Sequence, residues 1–381
     1  MRKSYAVQGQ PEVSATGSFT RDLVHGTLRK MQMVNLMNLS REELATWFAG
    51  RGHKPFRGGQ VYRWLYHRGA ENFAAMTDLS AALRQELEET AVWPRMQLAH
   101  ESRSADGTRK YLFRLPDGET VETVWIPEDD RVTLCISTQV GCAMGCGFCL
   151  TAQGGLTRNL ETWEIVGQLL EARRRTPPEQ PITNVVMMGM GEPLHNLGAV
   201  IPALRHLLDD QGIHLAPRRV TVSTVGLVPQ MVELGRAMPQ VNLAVSLGAA
   251  TDEVRGTLIP AARRWPLDDL MAACRAYPLP PRRRIFFEYI LIRGVNDSPK
   301  QARELVRRVH GVRCKVNLMA MNPIPGAPWE RPDDADVLQF QKILGDSGVR
   351  AFVRKSRGQD ILAACGQLRS AQAESAPLLP R

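Results

Sequence analysis

Three cysteines fall within eight residues of this 381-residue chain: Cys142, Cys146 and Cys149, spaced C-x3-C-x2-C in the stretch "VGCAMGCGFCLTAQGG". Thiolates at such spacing hold soft metals. Three is one short of the four protein ligands taken by structural zinc or by a fully protein-ligated [4Fe–4S] cluster. The residue types leave three readings open. One is a zinc site, although no His follows until His195; another is a chance group of packed thiols. The third is a [4Fe–4S] cluster whose one free iron chelates a small molecule. Downstream, "VVMMGMGEPL" (185–194) runs from an apolar stretch into a glycine-rich turn with a carboxylate. Gly189 and Gly191 permit close backbone approach, and Glu192 suits an ammonium group; taken alone, the stretch reads better as a plain turn.

The elements around these residues follow a pattern. β-Branched or apolar runs at 132–138, 183–188, 219–224, 241–247, 284–292, 314–321 and 350–354 predict strands. Helical periodicity lies between them, at 162–174, 198–209, 228–236, 267–276, 299–309 and 334–346. Repeated strand–helix units place the chain in the α/β class, with a parallel sheet and outer helices, and their number predicts a complete or partial (β/α) barrel. Chemistry in such barrels sits at the C-terminal strand ends, and the cysteine loop follows the first of these strands. Residues 37–100 read as a small helical module; Ser40 and Glu43 form a capping-box signature in "SREELATWFAGRG". Its Arg57, Arg63, Trp64, Tyr66, His67 and Arg68 suit either nucleic acid or packing. A β-hairpin is predicted over 109–115 and 119–127 around Pro116-Asp117-Gly118.

Composition narrows the class. A hydrophobic fraction of 44% with 23% charged residues excludes a disordered or collagenous chain. No apolar run approaches the roughly 18–20 residues of a membrane span, and the N-terminus has no apolar stretch typical of a secretory leader. Seven cysteines dispersed over this length are no disulfide scaffold and point to the reducing cytoplasm. The formal charge of +9 suggests a polyanionic partner. Candidate phosphate contacts are Arg173–Arg175, Arg218–Arg219, Arg282–Arg284, and Arg354, Lys355 and Arg357.

C-x3-C-x2-C with an aromatic, Phe148, before the last cysteine resembles the radical S-adenosylmethionine (SAM) superfamily. The resemblance implies a [4Fe–4S] cluster on Cys142, Cys146 and Cys149, SAM on the open iron, and a partial barrel. "GMGEP" resembles the superfamily turn that holds the SAM amino group. Over about 37–368, the segments 121–160, 184–196, 219–224, 322–328 and "VRKSRGQDILAACGQL" (353–368) resemble the dual-specificity RNA methyltransferase family of the RlmN/Cfr type. "TAQGG" and "VRKSRG" favour the RlmN branch, which methylates C2 of adenine in 23S rRNA and tRNA.

That resemblance implies roles. Cys365 carries the methyl group, Cys135 resolves the protein–RNA adduct, and Glu122 accepts the C2 proton. Gly191, Glu192, Ser223, Ser246, Leu247, Gly248 and Asn322 contact SAM, and a flavodoxin-type protein supplies electrons. Pattern and resemblance together predict a flexible N-terminal arm (1–33), an RNA-contacting helical domain (37–100), a β-hairpin extension (101–127), the radical SAM core (128–368) and a disordered tail (369–381). Two departures stand out: Gly248 where the family usually has His, and "AMNP" (320–323) where it has an aromatic before Asn-Pro. They leave room for a paralogue acting on another RNA adenine position. Two other rivals are a radical SAM enzyme activating another protein, for which Cys135 and Cys365 have no use, and a plain iron–sulfur electron carrier, for which the GMGEP turn has none.

Overall fold

The computed structural model describes residues 33–369. The predicted arm and tail lie, apart from residues 33 and 369, outside the described residues.

Helices α1 (Arg41–Ala49), α2 (Phe56–Tyr66) and α3 (Ala81–Thr90) form the N-terminal module. The capping box at α1 is present: Ser40 Oγ accepts from the Glu43 backbone, and the Glu43 carboxylate accepts from the Ser40 backbone. α2 lies directly on α1 at Gly58, where an added Cβ would sit 2.5 Å from the Ala45 nitrogen. The helical pattern ends at Thr90 rather than running on to residue 100. Gln97–Arg103 is a strand, because "QLAHESR" has no apolar repeat of helical period and pairs antiparallel with the next strand.

That strand, β1, opens a ten-stranded sheet. It continues as β2 (Arg109–Arg114), β3 (Thr120–Glu128), β4 (Arg131–Cys135), β5 (Asn184–Met187), β6 (Val220–Thr224), β7 (Asn242–Ser246), β8 (Ile285–Leu291), β9 (Cys314–Ala320) and β10 (Ala351–Val353). Spatial order follows chain order from β1 to β10. β1 to β4 pair antiparallel, so the predicted hairpin is an extension of the main sheet. β4 to β10 are all parallel. β1 and β10 do not pair with each other, so the barrel is partial.

The crossovers carry α4 (Leu150–Gln153), α5 (Thr162–Arg173), α6 (Leu197–Leu208), α7 (Val228–Ala237), α8 (Asp252–Leu258), α9 (Leu267–Ala276), α10 (Pro299–Val309) and α11 (Asp334–Asp346). Each predicted barrel strand and helix is present, with its ends matching to within three residues. The short α4 and α8 were not anticipated. One face of the parallel strands is apolar: Leu134, Val185, Val222, Leu243, Phe287 and Val316 share it and are all fully buried, while the opposite face carries polar side chains such as Ser223, Glu288 and Asn317. Among the described residues no helix is long and apolar enough to cross a membrane.

Candidate active site

The cysteine loop leaves the sheet after Cys135, the last residue of β4, and ends by entering α4. A two-stranded ribbon, Gln139–Gly141 against Leu156–Asn159, closes its base. Gly141 has φ 76°, and a Cβ there would meet the Gly155 carbonyl oxygen at 2.0 Å, so only glycine fits this crossing. Two backbone bonds fix the loop itself: Cys142 N–H to Gly155 O at 2.7 Å, and Gly147 N–H to Leu258 O, at the end of α8, at 3.1 Å. The C-terminal segment docks on the same loop, with Leu150 N–H donating to Gly366 O at 2.8 Å. The three cysteines are therefore held by three separate parts of the chain.

All three line one cleft at the C-terminal strand ends, with about 890 Å³ of empty space that is partly open to solvent. Cys365 joins them there, with Glu192. The strand-end turns contribute Gly191, Ser223, Ser246 and Gly248. Leu247 and Asn322 do not line the cleft. The Asn322 side chain instead donates to the Cys365 carbonyl at 3.1 Å and accepts from Gln359 at 2.6 Å, holding the segment that carries Cys365. The close approaches of Gly189 and Gly191 are to the chain itself. A Cβ on Gly189 would meet Ile136 O at 2.7 Å, and one on Gly191 the Gln139 Cβ at 2.6 Å. These glycines let the turn nest against the end of β4.

Charge in the cleft is unbalanced. Burial pushes the Cys142 thiol up to about 12, partly offset by a backbone hydrogen bond from Met144. Burial raises Cys146 strongly too, and Cys149 and Cys142 add to it. Glu192, 2% exposed, is raised to about 7 by burial. Its carboxylate accepts from Leu194 N–H at 3.0 Å and Val225 N–H at 2.9 Å. Several would-be anions thus face one recess, and no Lys, Arg or His lines it. A cationic metal unit and a ligand bearing an ammonium would relieve that imbalance. Among the described residues no three His, Cys, Asp or Glu side chains are arranged to hold a single metal ion.

Cys365 is exposed and lines the cleft, and burial among its neighbours raises the thiol to about 11. The neighbouring Glu288 and Cys149 raise it further, while Arg354 lowers it. Cys135 is buried, and its thiol is pushed well up by burial and then by Cys365, which places the two sulfurs within electrostatic reach. Glu122, on β3, does not line the cleft. Its Oε1 pairs with Lys110 Nζ at 2.8 Å and its Oε2 accepts from Arg369 N–H at 2.8 Å. Lys110 also donates to Leu362 O at 3.2 Å, tying Glu122 to the segment that carries Cys365.

Known proteins give this geometry its context. The family model described as "Ribosomal RNA large subunit methyltransferase N-terminal domain" matches residues 34–92, and that of the radical SAM superfamily matches 136–306. A "Dual-specificity RNA methyltransferase RlmN" from Syntrophotalea carbinolica is 53% identical over 345 residues, covering 90% of this chain and 92% of its own. The chain belongs to the RlmN family. A second relative of the same description, from Geotalea uraniireducens, is 51% identical, covering 89% of this chain and 97% of its own. Among solved structures, a radical SAM methyltransferase from Sphaerobacter thermophilus superposes with TM-score 0.84 at 45% identity, covering 88% of this chain and 99% of that one. Membership carries with it a [4Fe–4S] cluster and SAM, and the donor set of the cleft fits both: three thiols around one wall and a buried carboxylate lacking a cation.

Sequence reading passed over three polar residues at the site. Glu288 lines the cleft from β8, with its Oε1 accepting from Asn317 on β9 at 2.8 Å. Its one signal was a lone carboxylate inside "RIFFEYILI". Lys110 and Arg255 gave no signal, since each takes its meaning from partners distant in the chain.

Proposed function

We propose that this protein is an RNA methyltransferase that installs a methyl group at C2 of adenine in 23S rRNA and tRNA. Cys142, Cys146 and Cys149 would hold the [4Fe–4S] cluster, and Glu192 with the turns at Gly191, Ser223, Ser246 and Gly248 would hold SAM. Together, the reduced cluster and SAM supply a transferable methyl group and a hydrogen-abstracting radical. C2 of adenine lies between two ring nitrogens and is electrophilic, so it does not attack a methyl donor directly. Cys365 carries the methyl carbon, and after loss of one hydrogen atom that carbon bonds to C2. Glu122, held close to the Cys365 segment through Lys110, takes the C2 proton, and the adduct's unpaired electron would return to the oxidised cluster. The Cys135 sulfur then attacks the Cys365 sulfur: the disulfide forms as the Cys365 S–C bond breaks, and the departing carbon takes up a proton to become the methyl group of the freed base. A flavodoxin-type protein serves as electron donor, and the reaction takes place in the cytoplasm.

One observation supports this reading above the rest: three loop cysteines, Glu192 and Cys365 share one cleft, with Cys135 coupled to Cys365 behind it. The protein-activating and electron-carrier rivals have no use for that sulfur pair. The test is incubation of anaerobically reconstituted protein with SAM, a reductant and unmodified RNA, followed by nucleoside mass spectrometry. 2-Methyladenosine is expected; its absence, or methylation at another adenine position, rejects the proposal.

A further inference from the structure

A densely bonded side chain beside the cleft has no part in the chemistry above. Arg255, on α8, is 1% exposed. Its guanidinium donates to four backbone carbonyls: Nε to Leu247 at 3.1 Å, Nη2 to Val225 at 2.7 Å, and Nη1 to Trp265 at 3.0 Å and to Ala262 at 3.4 Å. Among the described residues it forms no ion pair. Burying an unpaired charge costs several kcal/mol, and capping carbonyls needs only neutral donors. The charge itself therefore calls for an explanation. Burial lowers the guanidinium only to about 10, so it stays cationic at neutral pH; Asp252 and then Cys146 oppose that lowering.

The location suggests what the charge is for. Val225 and Leu247 directly follow β6 and β7, in the turns whose neighbours Thr224, Ser246 and Gly248 line the cleft. Val225 N–H also donates to Glu192. On its other side, α8 ends at Leu258, whose carbonyl holds Gly147 between Cys146 and Cys149. One buried cation thus stands between the cofactor turns and the cysteine loop, within electrostatic reach of Cys146.

We propose that Arg255 is a positioning residue whose fixed charge stabilises the negative charge that a cluster on Cys142, Cys146 and Cys149 gains on one-electron reduction, while its planar fork holds the two cofactor turns in register. The inference rests on the cluster reading above. In a low-dielectric setting a nearby cation favours the more negative redox state and raises the reduction potential. Only arginine joins that charge to a rigid set of donors able to reach both turns at once.

The experiment is an anaerobic redox titration of the reconstituted full chain, with iron content measured first. Arg255→Met should lower the midpoint potential. On the order of tenfold less reduced cluster at a fixed potential corresponds to about 59 mV for a one-electron couple. Arg255→Lys should stay near the wild-type potential but bind SAM more weakly, because one ammonium does not span Leu247 and Val225. Should the methionine variant fail to fold, Asp252→Asn decides the question. It retains the acceptor for Leu267 N–H (2.7 Å in the wild type) while removing a charge that offsets Arg255. Its midpoint should therefore rise at low ionic strength. Midpoints identical to wild type in iron-replete Arg255→Met, or in Asp252→Asn where the former does not fold, would overturn the inference. A wild-type chain that takes up no iron would reject the cluster reading itself.

Discussion

Cys135 and Cys365 are chemically identical residues in different settings. Cys365 is exposed and lines the cleft, and Cys135 is sealed at the end of β4. Each thiol is raised by burial, and Cys135 is raised again by Cys365. Cys135 thus feels the Cys365 sulfur, the pair a disulfide would join. Their variants should therefore fail differently. Cys365→Ala should give neither product nor adduct, because no sulfur is left to carry the methyl carbon. Cys135→Ala should still form the carbon–carbon bond but not release the base. RNA should then accumulate on the protein as a nuclease-sensitive shifted band on a denaturing gel. A Cys135→Ala protein turning over at the wild-type rate would make that cysteine ordinary strand core. At this scale the cysteine triplet, Glu192 and Cys365 were legible, since spacing and motif carry them. The attachment of Asn322 to the Cys365 segment and the facing of Glu288 with Asn317 were not. Both depend on which strands become neighbours.

Elements were legible wherever a periodic apolar pattern was long enough to be read. The seven parallel strands and the six long crossover helices stand out because β-branched runs alternate with repeats of helical period. Strand β1 was missed because "QLAHESR" is polar and is extended only by pairing with β2. Helix α8 was missed because "DEVRGTL" is too short to show a face. The packing of the N-terminal module on the barrel was equally invisible, since it joins side chains far apart in the chain. Tyr62 on α2 hydrogen-bonds His206 Nδ1 on α6 at 3.0 Å, and Tyr66 stacks on the imidazole with ring centroids 4.6 Å apart. His206 is 2% exposed; its Nε2 finds no partner among the described residues, and burial lowers its pKa to about 4. An unfolded histidine titrates near 6.5, so between these values the unfolded chain binds the extra proton. The stabilisation from this neutral imidazole is complete above about pH 6.5 and disappears as pH falls toward 4. The decrease between pH 6.5 and 5 amounts to about 2 kcal/mol. Chemical denaturation across that range should show it, and His206→Gln should flatten the slope. An unchanged slope would mean that the imidazole is not held neutral.

Over the whole molecule, charge is sorted by the ends of the barrel. The chain carries a formal +9, and its sequence offers four basic clusters without ranking them. The sheet ranks them. Arg218–Arg219 directly precede β6 and Arg282–Arg284 directly precede β8, so both sets lie at the N-terminal strand ends, away from the cleft. Arg283 is committed to the Asn242 side chain, while Arg174 and Arg175 are paired with Glu171. Arg354, Lys355 and Arg357 differ from these. They follow β10 at the cleft end, they are exposed, and Arg354 acts electrostatically on both Glu288 and Cys365. For an RNA entering the cleft toward Cys365, this is the basic cluster placed to meet its phosphates. Replacing Arg354, Lys355 and Arg357 by alanine should weaken RNA binding and reduce the slope of log affinity against log salt by about 2–3, at roughly 0.7–0.9 for each phosphate no longer neutralised. The same replacement at Arg282–Arg284 should leave the slope nearly unchanged. Fluorescence anisotropy with a labelled RNA hairpin over a salt series measures both slopes, and the iron–sulfur absorbance checks that each variant keeps its cluster. If instead the slope fell at Arg282–Arg284 and held at Arg354–Arg357, the RNA would approach from the other end of the barrel, and a route into the cleft past Cys365 would be ruled out.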